Sequence, residues 1–561
     1  MTDAIDPGDI ADPGEAIAPG ELIEAREKTI EAATSGRAGA STAALARAGL
    51  VVSGAFLVSR ALGYVRVTTF GAVFGASPQL DAFFAAFRIP DLIFQLVAAG
   101  ALGSALVPVL SGLLAHGEER HAWRVVSTVA NLMLLGLVVL AVVFAIGAPV
   151  IVPAITPGFD ASQTELTIQL TRIMLIGPVF LALGAVASSL LNAADRFTAA
   201  AMAPVVYNLV IIVATLTLGQ LIGVTGLAIG VVIGSLANLL VQLPAIRRAT
   251  TYRYRPSIDL ADRTGRHVFG LMAPRALGLG AVQITFIVNT TLASTLGTGA
   301  ISAYNFAFTV LQLPLGLVAQ PLGVVLLPAM SRTVATGDDQ RFEAMVDRSL
   351  RLLAYAMMVV TAVAIALREQ IVTLLFDYGR FDQSAIALTS ETLLIFLLGL
   401  PAHSLIAIQA RVFYARQDTR TPVLAAILAV AINVVVSVAT VGRLELRGLA
   451  LGIAMGAWAE AMVLSVVLAV RGIGPGLGRE LRAWGLFAAI AVVAGVATWL
   501  VSVVFVDLVG PDVRKILLAV EVALAGLAGL AVYGGLSLVL RREEPATLWR
   551  LGRRVLPGLR G

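Results

Sequence analysis

The sequence predicts an all-α integral membrane protein of about fourteen transmembrane helices, with two parallel-repeat six-helix lobes around a central cavity plus two C-terminal helices. Three observations carry this prediction. The 561 residues are 58% apolar and only 13% charged, with a mean hydropathy of +0.90, whereas soluble domains are nearer half apolar and about a quarter charged. Apolar runs of about 20 residues recur between short polar gaps, the length a helix needs to cross roughly 30 Å of hydrocarbon. One stretch that begins at Gly103 also returns, in the same register, at Gly323. Strict apolar–polar alternation is absent, which argues against an outer-membrane barrel.

Taken in order, residues 1–45 hold nine acids, among them Asp3, Asp12 and Glu31, against Arg26, Lys28 and Arg37, a net of −6. With Pro7, Pro13 and Pro19 they are expected to form a disordered acidic cytoplasmic tail. No basic start precedes a short apolar stretch, so no signal peptide is expected. Residues 46–246 form the first lobe, with spans at about 47–75, 80–110, 125–148, 166–191, 201–221 and 224–245. Residues 247–268 are a basic cytoplasmic linker. Residues 269–470 form the second lobe, with spans at about 269–296, 301–330, 349–368, 385–411, 423–441 and 447–470. Residues 471–540 hold the last two, at 483–505 and 515–540, and 541–561 are a basic cytoplasmic tail. Putting the N-terminus in the cytoplasm gathers the arginine clusters on one side: Arg247, Arg248, Arg253, Arg255, Arg263 and Arg266, then Arg541, Arg542, Arg550, Arg553, Arg554 and Arg560. The opposite connections hold few cations, so the positive-inside rule supports an even number of spans with both ends cytoplasmic.

The repeat is local. Gly103-Ser-Ala-Leu-Val-Pro108-Val-Leu-Ser111 meets Gly323-Val-Val-Leu-Leu-Pro328-Ala-Met-Ser331, and Gly117-Glu-Glu meets Gly337-Asp-Asp. The matched stretches end the second and eighth spans. An even offset in spans keeps orientation, so the lobes are expected to be parallel repeats about an axis along the membrane normal, with a cavity between them.

Ionisable groups inside spans are expensive and usually face a cavity or a partner. The first two spans are the densest region, with Arg60, Arg66, Asp81, Arg88 and Asp91. Arg60 and Arg66 fall within about a 120° sector of one helix. Guanidinium forks match phosphate oxygens, so these arginines are candidates for an anion site. The alternative is snorkelling to lipid phosphates, which is an open choice for Arg88 and for Arg275 near the start of the seventh span. His403 is expected to be a packing residue. The chain has no cysteine and four scattered histidines, and no nucleophile–base pair or metal constellation emerges.

Several stretches together resemble the MurJ/MviN family of lipid II flippases. They are Ser59-Arg60-x-x-Gly63-x-x-Arg66, Asp81-Ala-Phe-Phe-x-Ala-Phe-x-x-Pro90, Pro157-Gly-Phe159, Ala203-Pro204 with Asn208, Leu326-Leu-Pro328, Tyr378-Gly-Arg-Phe381, and Phe413-Tyr414-Ala-Arg416-Gln417-Asp418-Thr-x-Thr421-Pro422. They occur in the family's order across roughly residues 50–470. The resemblance implies a bacterial plasma-membrane transporter without a catalytic site. Its cargo would be lipid II or a similar polyprenyl-pyrophosphate glycan, carried across by alternating access. Arg60, Arg66, Arg88 and Arg275 would then bind the pyrophosphate, Asp81 would be a cavity or gating charge, and the last two helices would build a groove for the polyprenyl tail.

It further implies no cofactor, a coupling ion or membrane potential of unspecified kind, contact with membrane lipids and cell-wall synthesis proteins, and no nucleic acid. No ATP-binding G-x-x-x-x-G-K-[ST] motif is present. Where many family members carry charged cavity residues, this chain has Phe94, Gln95 and Ala99, and also Phe308 and Thr309. The alternatives are another polyprenyl-linked glycan or a small cation as cargo, or a non-transporting scaffold for cell-wall enzymes. Scattered embedded carboxylates argue against cation export.

Overall fold

The computed structural model describes residues 52–96, 102–249, 254, 258–259, 268, 283–474, 476–510 and 515–547. The whole acidic tail, most of the 247–268 linker, Arg275, Ala99 and the end of the basic tail lie outside the described residues. Every regular element among the described residues is a helix. The chain divides into two units, 1–58 and 59–561. The described part of the first unit is the helical stretch 52–58.

In the second unit the elements run in chain order. α1 (52–74, beginning in the first unit), α2 (Pro78–Phe94), α3 (Leu102–Ala115), α4 (Glu119–Ile155), α5 (Ala161–Met174), α6 (Gly177–Ala193), α7 (Phe197–Leu216), α8 (Leu218–Ile222), α9 (Val224–Leu240) and α10 (Leu243–Ala249) precede the linker. After it come α11 (283–294), α12 (Ala300–Pro314), a π turn (Leu315–Ala319), α13 (Gln320–Ala335), α14 (Asp339–Ala366), α15 (Arg368–Phe376), α16 (Gln383–Leu398), α17 (Leu400–Ala415), α18 (Arg420–Leu444), α19 (Leu446–Val470), α20 (Leu477–Val509) and α21 (Lys515–Val539).

Ten helical runs among the described residues are long and apolar enough to cross a membrane, or eleven if the bent pair α16–α17 is one span. The sequence leads one to expect fourteen. The three spans that do not qualify, 47–75, 80–110 and 269–296, all run into residues outside the described set. Other expected spans are broken rather than straight. The α16–α17 pair bends by 45° at Gly399, just before Pro401. α5 and α6 part at Leu175–Ile176, before Pro178 takes the first turn of α6. A proline has no N–H to give and favours a helix start, so each break falls where the ladder is already interrupted.

These helices turn large apolar side chains outward and bury small polar ones among an apolar core. Val139, Val142, Val143, Ile146 and Val150 stand exposed along α4. Buried Thr167, Thr171, Thr215 and Ser235 return their hydroxyls to carbonyls one turn back, which satisfies them without water. Two helix pairs close on glycine stripes that hydropathy does not reveal. Along α9, Gly226, Gly230 and Gly234 lie against Leu218, Ala214 and Tyr207. Along α19, Gly448, Gly452 and Gly456 lie against Thr440, Asn433 with Ser437, and Ala429 of α18. The two stripes match position for position at one constant offset. The left-handed turn positions share that offset, Gly75 with Gly297, Asp195 with Gln417, and Gly223 with Glu445. So do Asp160 and Asp382, each capping the next helix.

Between α17 and α18, Asp418 accepts from the Arg420 and Thr421 amides, from the Thr421 hydroxyl at 2.6 Å and from Arg471 at 2.7 Å. Burial alone would raise its carboxyl, but the hydrogen bonds from Thr421 and Arg471 outweigh it and hold the pKa at about 2. The quoted Asp418–Thr421 motif is thus a clip that fixes the start of α18.

Candidate functional site

The halves on either side of the linker meet most closely at the end that carries the turns 75–77, 156–160, 295–299 and 377–382. Asp81, near the start of α2, is 1% exposed. Its carboxylate accepts from the Gly299 amide at 2.6 Å, the Ser302 amide at 2.7 Å and the Ser302 hydroxyl at 2.6 Å. It therefore caps the N-terminus of α12, the second-half counterpart of α2, where orphan amides and the helix dipole favour an anion. Around it the backbones touch. The Arg380 amide donates to the Ala72 carbonyl at 2.9 Å. A side chain at Gly75 would collide with the Arg380 carbonyl, one at Gly158 with the Ser294 backbone, and one at Gly379 with the Ala72 carbonyl. Phe381 packs edge-on against Phe306 at 5.1 Å and stands over Gly71. The motifs Asp81-Ala-Phe-Phe, Pro157-Gly-Phe159 and Tyr378-Gly-Arg-Phe381 thus converge on one latch.

The candidate cations are distributed below it. Arg60 of α1 donates to the Gln320 side chain, lies against Gly316 in the π turn and reaches Tyr64. Arg66 sits between the rings of Phe70 and Tyr207, at 5.9 and 5.7 Å, and its buried Nε has no hydrogen-bond acceptor among the described residues. Arg88 of α2 donates Nε to Thr290 at 2.9 Å and Nη2 to Asn305 at 2.8 Å, under the Phe286 ring at 5.3 Å. Asp91 accepts from Gln283 at 3.2 Å. Arg60 and Arg88 therefore both reach across to the second half, whereas Arg66 stays within the first. No single partner is shared by all three. Arg88 is tied to protein groups of the second half.

The uncharged positions have their own packing. Phe308 belongs to an aromatic cluster with Phe286 at 5.4 Å, Phe396 at 5.8 Å and Tyr304 at 6.4 Å. Thr309 returns its hydroxyl to the Asn305 carbonyl. Sequence reading did not single out Gln320, Gly316 or Arg411. Arg411, on α17, lies so close to Gly323 that a Cβ there would overlap its guanidinium. Gly323 had already been marked by the internal repeat, which was the available signal.

An apolar groove of about 690 Å³ runs along α14, α19 and α20, lined by Thr361, Ile365, Trp458, Trp484, Ala491 and Trp499 among others. α21 packs behind α20 and contributes no lining residue. Glu521 of α21, 1% exposed, accepts from Ser502 at 2.6 Å and Gln370 at 3.2 Å. Among the described residues no group of three or more His, Asp or Glu side chains is placed to hold a metal ion.

The family described as lipid II flippase MurJ matches residues 70–512. A lipid II flippase MurJ of Burkholderia cenocepacia is 34% identical over 440 residues, covering 76% of this chain and 84% of that one. A probable lipid II flippase MurJ of Rhizobium tropici is 32% identical over 437 residues, covering 75% and 80%. Among solved structures, one described as lipid II flippase MurJ in an inward closed conformation superposes with a TM-score of 0.73 at 22% identity, over 88% of this chain and all of that one.

Proposed function

The chain belongs to the lipid II flippase MurJ family, and on that premise we propose that it carries lipid II from the inner to the outer leaflet by alternating access. It is a multi-pass protein of the bacterial inner membrane. The observation that carries the mechanism is the one-ended latch. Asp81, Arg380 and a set of side-chain-free glycines hold the halves together at one end, while arginines of the first half reach towards α11–α13 away from it.

In this reading the latched end faces outward and both termini are cytoplasmic. Fourteen spans make two six-helix lobes and a terminal pair. The headgroup enters from the cytoplasmic leaflet, and its pyrophosphate is met by Arg60, Arg66, Arg88 and Arg275. Asp81 serves as the gating charge, releasing α12 when the lobes rock. The recurrence of turns, caps and glycine stripes at one constant offset supports the two-lobe arrangement. The tryptophan-lined groove takes the polyprenyl tail, which is apolar as the groove is. The cycle draws on an ion or the membrane potential rather than a bound cofactor, and cell-wall synthesis enzymes take up the delivered precursor.

Complementation of a bacterium depleted of its own flippase tests this. The wild-type chain restores growth, and the double variant Arg60→Ala, Arg66→Ala does not. Rescue by the double variant overturns the arginine assignment. Failure of a well-expressed wild type overturns the cargo.

A further inference from the structure

The proposed cargo is recognised by its diphosphate, and the inference here rests on that reading. The run from the π turn into α13 has two positions without a side chain, Gly316 and Gly323, with Gln320 between them. Arg60 fills the first clearing: its Nη1 stands 2.8 Å from where a Gly316 Cβ would be, and its Nη2 donates to Gln320. Arg411 fills the second, its guanidinium pressed against Gly323. Two arginines from opposite halves thus lie against one helical run, at glycines about 10 Å apart along its axis at the helical rise. Long flexible side chains can close that separation around one ligand.

Arg411 is half-buried, and its guanidinium donates one N–H to the Ala407 carbonyl, one turn back on its own helix. No carboxylate stands within ion-pairing distance of it among the described residues. Arg88 by contrast spends donors on Thr290 and Asn305, and Arg66 is held between two rings. A guanidinium has five donors and no means of shedding its charge, so a half-buried one without a counter-ion is poised for an anion with several oxygens. Arg411 also lies one turn from the end of α17 at Ala415, the end opposite the latch. A headgroup arriving from the cytoplasmic leaflet meets it first.

We propose that Arg411 is a cargo-binding residue: with Arg60 it forms a two-arginine clamp along the Gly316–Gln320–Gly323 segment that takes the diphosphate ester of a polyprenyl-linked glycan.

Native mass spectrometry of the full chain in detergent micelles, with a polyprenyl diphosphate lipid and phosphatidylglycerol as separate probes, tests the clamp. Arg411→Gln is expected to weaken the diphosphate lipid about tenfold, the loss of a charge-assisted contact, and to leave phosphatidylglycerol unchanged. Arg411→Lys recovers part of the loss. Gly323→Ala keeps both arginines but displaces one guanidinium, and it weakens the diphosphate lipid as well. These two variants carry the test if Arg411→Gln fails to fold. Wild-type affinity for the diphosphate lipid in the Arg411 variants, with Arg60→Gln impaired, overturns the clamp and leaves the cargo reading standing. Loss of phosphatidylglycerol alone makes Arg411 an interfacial lipid contact and overturns the clamp too. A wild-type chain that prefers phosphatidylglycerol overturns the cargo reading and the clamp with it.

Discussion

Asp81 shows what a residue can and cannot disclose from sequence. Its position inside an apolar run marks it as costly and therefore engaged. Its partners, Gly299 and Ser302, belong to the other half of the chain and are invisible until it folds. The same holds for Arg60 with Gln320 and Arg88 with Asn305. The charged residues of the site were legible singly; the pairing was not, because it is made between halves. Arg411 escaped notice because it stands at the edge of its apolar run, where arginines usually serve the interface. Asp81→Ala leaves two amides and a hydroxyl without an acceptor at a dry contact. The expected cost is about 3 kcal/mol, seen as a lower unfolding midpoint in detergent. Hydrogen exchange at the Gly299 and Ser302 amides accelerates, whereas Asp81→Asn, which keeps an accepting oxygen, lies between the two. Unchanged exchange at Gly299 in Asp81→Ala refutes the capping role.

Apolar runs announce a span but not its breaks, since hydropathy barely registers a missing hydrogen bond at Gly399 or a π turn between Pro314 and Pro321. The glycine stripes were equally silent, because glycine contributes little to hydropathy whether it packs or faces lipid. In the structure the difference is sharp. A Cβ at Gly452 would stand 2.8 Å from the Asn433 carbonyl oxygen, while nothing lies within 4 Å of Gly136 on α4. Helices in lipid have little hydrophobic drive to associate, so close backbone approach is what binds α18 to α19 and α7 to α9. Gly452→Leu and Gly230→Leu are each expected to destabilise by about 3 kcal/mol through overpacking. Gly136→Leu is expected to be neutral or slightly stabilising, as leucine has the better helix propensity. Unfolding midpoints of the three purified variants decide it, and equal midpoints refute the stripes as packing determinants.

At the scale of the molecule, the repeat was legible only where its register happens to be unbroken. Gly103 to Gly117 matches Gly323 to Gly337, but the rest of the chain keeps a slightly longer offset, that from Gly75 to Gly297, which relates α2 to α12 and α5–α9 to α16–α19. The matches at the longer offset are single turn and cap residues scattered among apolar helices, too sparse to find without the fold. They matter to the proposed alternating access, in which a two-fold arrangement would give two ends that open in turn, with the contacts at the 75–81 and 295–302 turns closing one of them. A transporter has to break that latch in every cycle; a scaffold for cell-wall enzymes does not. The chain has no cysteine, so a disulfide can be introduced without background. A Cβ at Gly299 would stand 3.1 Å from that of Ala76, a few tenths of an ångström short of disulfide spacing. Gly299 has φ +82, where another residue costs about 1 kcal/mol, and a Cβ there would also crowd the Ala76 carbonyl oxygen at 2.8 Å, so Gly299→Cys alone is the control. Oxidised Ala76→Cys, Gly299→Cys protein is expected to lose complementation and regain it on reduction, with the single variant active throughout. If the oxidised double variant supports growth, the latch does not open during function, and the rocking mechanism gives way to the scaffold.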